Sequence, residues 1–128
     1  MSQGLILAEK RSLERRELIY YLRVRDVRTN KELGRMVDIH QKGLLLMGEK
    51  NLIKDSEYTI AIEMPKAMTE QGIPNVTVAA KVMWARPSTT TSFLETGLMF
   101  LNLSPESVNT IERLIEFFAM PNGTFNLT

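Results

Sequence analysis

The chain has 128 residues, 44% of them hydrophobic, with 16 Lys and Arg against 15 Asp and Glu. That suits one domain with a modest core and gives no compositional reason for disorder. With no cysteine and a single histidine, His40, the sequence excludes disulfides, thiolate chemistry and a histidine-rich metal site. The net charge of +1 predicts no partner by itself, but it is unevenly spread. Residues 1–35 hold nine bases and five acids, a net of +4; the other seven bases and ten acids, in 36–128, give −3. A basic N-terminal third on a near-neutral protein points to a local anionic ligand, whereas a long nucleic acid demands a broader basic surface. The competing reading is that these charges merely solvate exposed strand faces.

The longest apolar runs, residues 4–8 and 43–48, are too short to span a bilayer. The first also lacks the basic flank and the length of an export signal. The expectation is a cytoplasmic protein with no transmembrane segment. In chain order, residues 1–16 read as an N-terminal arm, 17–120 as the folded domain and 121–128 as a short tail.

After the arm the pattern is mostly period two, the signal of half-buried strands. Leu18, Tyr20, Leu22 and Val24 alternate with Ile19, Tyr21, Arg23 and Arg25. A turn at residues 29–32 leads to a second strand over 33–39. Residues 43–47 form a third, apolar on both faces and so expected to be covered on both. Tyr58, Ile60, Ile62 and Met64 mark a fourth, ended by Pro65. A loop over 66–75 follows, containing Gly72 and Pro74. Val76, Val78, Ala80, Val82 and Trp84 then make the longest alternating run, stopped by Pro87, and 96–101 is the last strand.

The period changes at Ser104-Pro105-Glu106, a helix start with a capping hydroxyl, proline in the first turn and an acid at the positive end. Val108, Ile111, Ile115 and Phe118 recur at helical spacing, widened by Leu114 and Phe117. The fold class is therefore mainly β: six or seven antiparallel strands in a barrel, with a C-terminal helix packed on it. Hairpin-length connections exclude a parallel sheet with crossover helices.

The chemistry-bearing residues are few. Asp38 and His40, two apart, share one face of an extended strand, the spacing for an Asp–His pair in a small hydrolase. No Gly-x-Ser-x-Gly elbow or glycine-rich phosphate loop accompanies them, so catalysis is not expected. In Lys10-Arg11-Ser12-Leu13-Glu14-Arg15-Arg16 the guanidinium groups lie four and five residues apart. Arginine's planar fork matches phosphate oxygens and the O6/N7 edge of guanine with two parallel hydrogen bonds. Pairing with Glu9, Glu14 and Glu17 in a solvated helix is the alternative.

Arg-x-x-x-Arg, then a hairpin, then Asp38-Ile39-His40-Gln41-Lys42-Gly43 resembles the paired motif of the PilZ family of bacterial cyclic di-GMP receptors. The resemblance continues through Glu32-Leu33-Gly34, Val82-Met83-Trp84-Ala85-Arg86, Thr96-Gly97-Leu98-Met99-Phe100 and Leu103-Ser104-Pro105-Glu106. It covers roughly residues 9–118 and implies a mechanism. Arg11 and Arg15, with Arg16 and Lys10 as neighbours, would grip guanine edges and phosphates from a mobile arm. Asp38 would accept from a guanine's N–H groups, and Gly43 would let the backbone turn tightly and the ligand come close.

Ligand binding would order the arm and change the surface offered to a protein partner in motility, biofilm or envelope processes. Trp84, near Arg86, would stack on a base; alternatively Trp84 points into the barrel, continuing the row of Val82. The resemblance implies no cofactor, no metal and no nucleic acid polymer as partner, and a monomer or homodimer. One position departs from the family pattern: His40 stands where the family has serine. Imidazole is larger and changes charge between about pH 5 and 8, so it either crowds the guanine or bonds to it. The expected function remains a cyclic di-GMP receptor; the alternative is a degenerate module that keeps the fold and binds only protein partners.

Overall fold

Alternation along the strands places one side chain in two in a shared interior, and closing the sheet on itself removes every unpaired edge of that interior. The computed structural model describes residues 21–119. Six strands lie within them: β1 (Leu22–Asp26), β2 (Glu32–His40), β3 (Gly43–Gly48), β4 (Glu57–Ile62), β5 (Val76–Pro87) and β6 (Leu94–Leu101). They form a closed antiparallel barrel in the order β1-β2-β3-β6-β5-β4, the class the pattern predicts. Residues 1–16, 121–128 and the expected strand start at Leu18 lie outside the described residues.

Val24, Met36, Leu46, Ile60, Ile62, Ala80, Val82 and Leu98 fill the barrel with almost no exposure. A second, smaller cluster sits on the outer side of β2 and β3, where Val37, Met47 and Phe93 pack with Tyr21 and Leu45. β3 is thus covered on both faces, as its unbroken apolar run requires. Elsewhere the outer face is polar. Arg23 pairs with Glu32 at 2.9 Å, Arg25 with Glu63 at 2.9 Å and Arg35 with Glu32 at 3.3 Å. Three bases of the basic N-terminal third therefore solvate and pair across strand faces, each contact contributing at most about 1 kcal/mol.

Two local details differ from the pattern-based expectation. The loop after Pro65 contains a short helix, α1 (Lys66–Thr69), because Met68 folds back onto the core and Asn75 Oδ1 accepts from the Met64 amide at 2.8 Å. The second difference concerns the C-terminal helix, α2 (Pro105–Ala119). Its start is as expected: Ser104 Oγ accepts from the Ser107 amide at 3.1 Å, and the Ser104 carbonyl accepts from Val108. The buried line, however, runs through Thr110, Ile111 and Leu114, with Ser107, Ile115 and Phe117 at its edges. Val108 lies one residue, about 100°, past Ser107 and is exposed. The helix packs chiefly on β2 and β5, which are opposite in the ring, so it lies across one mouth of the barrel and shields it from water.

Leu114→Ala is expected to lower unfolding free energy by about 2–5 kcal/mol, while Val108→Ala changes it by under about 0.5 kcal/mol. Urea denaturation of the two variants checks where the helix stripe is centred.

Candidate functional site

Two extra residues decide which side chains leave the barrel. In β2, Met36 lies opposite Leu46 and Asp38 opposite Leu45, so Val37 is an unmatched residue, a β-bulge. Strict alternation from buried Met36 would send Asp38 and His40 into the core. The bulge turns both outward and returns Ile39 to the interior. β5 repeats the device: Val82 lies opposite Leu98 and Trp84 opposite Gly97, with Met83 unmatched. Trp84 and Arg86 therefore point outward, and Trp84 is 38% exposed. This corrects the alternative that Trp84 continues the inward row of Val82. The signals are the apolar doublets Met36-Val37 and Val82-Met83, which interrupt the alternation.

β2 and β5 flank β3 and β6 in the ring, so the side chains released by the two bulges face each other across that pair. Between them lies an open cavity of about 350 Å³, lined by Asp38, His40, Lys42, Gly43, Leu44, Leu45, Met83, Trp84, Gly97, Leu98 and Met99. Four residues singled out in the sequence, Asp38, His40, Gly43 and Trp84, are thus brought together. Arg11, Arg15, Arg16 and Lys10 lie outside the described residues. Sequence reasoning missed Met83, Met99 and Gly97 as lining residues; only their neighbourhood to Trp84 in the paired register reveals them.

Each site residue is held from below. Asp38 Oδ1 accepts from the Ile39 amide at 2.8 Å, and among the described residues no cation pairs with the carboxylate. His40 Nδ1 accepts from the Lys42 amide at 3.2 Å, bridging the two-residue turn Gln41-Lys42. The Lys42 carbonyl in turn accepts from the Phe100 amide at 2.8 Å, tying the turn to β6. Gly43 is required for a reason other than the tight turn expected of it. Its backbone is not in the left-handed region, but a β-carbon there would overlap the Leu98 carbonyl oxygen. Only glycine lets β3 approach β6 this closely at the cavity floor.

Gly97 plays the matching part on β6. A β-carbon at Gly97 would lie 2.5 Å from Trp84 Cε2 and 2.6 Å from Nε1, so the missing side chain is the seat of the indole. Arg86 covers the same ring, its Cζ 4.5 Å from the centroid. Among the described residues no serine lines the cavity, and Asp38 and His40 each bond to a backbone amide, not to each other. No helix among the described residues is long and apolar enough to cross a membrane.

The described residues thus form a six-stranded barrel with a helix across one mouth and an outward cavity that carries an acid, an imidazole and an indole. The sequence model of the PilZ domain matches residues 9–117. The chain belongs to the PilZ domain family.

Solved structures of similar fold include the PilZ domain with c-di-GMP of YcgR from Escherichia coli, 16% identical with a TM-score of 0.56, covering 75% of this chain and 79% of that one. K. pneumonia MrkH in its apo state matches at 14% identity and a TM-score of 0.57, over 75% of this chain and 43% of MrkH. Bacillus subtilis inhibitor of motility, MotI/DgrA, matches at 10% and 0.57, over 75% and 44%. The chain spans under half of the last two proteins. No curated protein matches it.

Gly43→Ala is expected to cost about 1–3 kcal/mol, the scale of overpacking against immovable backbone, read by thermal or urea unfolding. Gly97→Ala is expected to lift the indole off its seat. Trp84 is the chain's one tryptophan, so its emission shifts to longer wavelength and acrylamide quenches it more strongly.

Proposed function

We propose that this chain is a cyclic di-GMP receptor that passes the signal to a protein partner through its N-terminal arm. The observation that carries this reading is the convergence of Asp38 and His40 from bulged β2, Gly43 from β3 and Trp84 from bulged β5 on one outward cavity. A carboxylate that pairs with no cation among the described residues suits the paired N–H donors of a guanine edge, and Trp84 supplies a face on which a base can stack. Lys42 at the rim adds a charge suited to phosphate.

The point where the described chain begins supports a role for the arm. Tyr21 packs beside Leu45 and Val37, and its carbonyl accepts from Arg35 Nη1 at 3.1 Å. Leu45 also lines the cavity. Arg15 lies six residues earlier (21 − 15), a reach of at most ~20 Å at about 3.3–3.6 Å per residue. The three strand spacings from β2 to β5 total ~14 Å, at about 4.8 Å each. Arg15, Arg16 and, farther back, Arg11 are therefore within chain reach of the cavity and are the proposed contacts to the ligand phosphates. A partner in motility, biofilm or envelope processes, in the cytoplasm, is the proposed recipient. No cofactor or catalysis is invoked.

His40 favours a second reading, a PilZ module that has lost the nucleotide and serves protein partners alone. Its Nδ1 is engaged by the turn, which leaves only Nε2 to meet a ligand and places a bulky ring beside Asp38.

Thermal unfolding with and without cyclic di-GMP separates the two. At about 100 times Kd the ligand should stabilise the fold by roughly 2.7 kcal/mol. Asp38→Ala should weaken binding by about 10- to 100-fold, the scale of hydrogen bonds to a charged group, and Arg15→Ala by at least as much. Absence of any stabilisation at high-micromolar ligand overturns the receptor reading and leaves the adaptor. Tighter binding by His40→Ser would identify the imidazole as a steric obstacle, and weaker binding would identify it as a contact.

A further inference from the structure

Behind Trp84 stands an arrangement that neither motif of the family resemblance includes. Glu95 of β6 lies directly opposite Arg86 of β5, two residues from the indole on the same outward face. Its carboxylate is largely buried, with a side-chain exposure of 10%, and Oε1 accepts from Arg86 Nε at 3.1 Å. The guanidinium so held lies over the Trp84 ring, 4.5 Å from its centroid. The ring itself rests in the space left by Gly97. Trp84 borders the cavity; Asp38 lies level with it across β3 and β6, and His40 and Met99 lie farther from Arg86 along the strands.

We propose that Glu95 and Arg86 are positioning residues that brace Trp84 as the stacking wall of the cavity for a purine base. This rests on the receptor reading and names how one of its subsites is built. An exposed tryptophan on an open strand face would ordinarily sample several rotamers. Three constraints act on this one. Gly97 admits the ring close to the backbone. Arg86 holds it by a cation–π contact well inside the roughly 6 Å range of that interaction. Glu95 fixes the guanidinium by its Nε, so the plane cannot swing away. The carboxylate contributes strongly to this because it is poorly solvated: leaving it unpaired carries the cost of a buried charge.

Arg86, two-thirds exposed, braces the ring without lining the cavity itself.

The experiment uses the full chain and compares wild type with Arg86→Met, Arg86→Lys, Glu95→Gln and each change in a Trp84→Ala background. Trp84 anisotropy and acrylamide quenching without ligand report the brace alone. Arg86→Met should lower anisotropy and raise quenching, Glu95→Gln should do so partly, and the melting temperature should fall more for Arg86→Met, which leaves the Glu95 carboxylate unpaired, than for Glu95→Gln. Isothermal titration with cyclic di-GMP should then show about tenfold weaker binding for Arg86→Met, partly rescued by Arg86→Lys. No further loss should follow from either change once Trp84 is alanine.

Unchanged anisotropy in Arg86→Met overturns the brace whether or not the nucleotide binds. A tenfold loss that persists in the Trp84→Ala background also overturns it, since Arg86 would then touch the ligand directly. Failure of wild type to bind cyclic di-GMP, with the anisotropy change intact, removes the receptor reading and the purine assignment while leaving the brace as a structural fact.

Discussion

The pairing of β1 with β4, with Val24 opposite Ile62, Arg25 opposite Ala61 and Asp26 opposite Ile60, closes the ring and makes the interior a sealed apolar space. That seal governs where chemistry can happen. A six-stranded barrel is too narrow to hold a ligand once Met36, Leu46, Ile60, Ile62 and Val82 have filled it. The mouth nearest the α2 start is covered by Ile111 and Leu114. A polar ligand is therefore left with the outer wall, and the side chains that meet it must be ones the strand period would not supply there by itself.

The bulges at Val37 and Met83 solve this on the two strands that border β3 and β6. Each adds one residue, reverses the parity of the residues after it, and moves an otherwise inward row to the outside. The floor between them is kept low by glycine at 43 and 97, which lets backbone and indole sit where side chains would otherwise stand. The walls are rigid for different reasons. On the β2 side the turn is bonded through His40 and through Lys42 to β6, and on the β5 side the indole is held by Arg86 and Glu95. A preformed pocket of this kind lowers the ordering cost at binding.

Much of the fold was legible because burial in a barrel is a strong, local requirement. Val76, Val78, Ala80 and Val82 have to alternate, and Ser104-Pro105-Glu106 has few uses other than to start a helix. What escaped the pattern escaped for physical reasons. α1 forms because Met68 finds the core, a tertiary effect with no period to announce it. Val108 fits the helical spacing as well as Ile111, and only the direction from which the barrel is approached decides which is covered. In the site, Asp38 and His40 were visible as a pair on one face, but which face depended on a one-residue insertion. Trp84 was ambiguous for the same reason. Arg86 was visible beside Trp84, but Glu95 and Gly97 could not be linked to either without the register between β5 and β6, which only the paired strands supply.

Because Val37 and Met83 are single unmatched residues, the chemistry of the outer wall depends on where the pairing slips as much as on composition. Were β5 to pair with β6 regularly through Met83, Trp84 would turn into the core, Ala85 would turn onto the surface, and Arg86 would leave the carboxylate that it faces. Deleting Met83, by contrast, leaves Val82 opposite Leu98 and Trp84 opposite Gly97, an unbroken alternation with the indole still outward. For this architecture, a one-residue gap in an alignment at either bulge is compatible with the same outer wall.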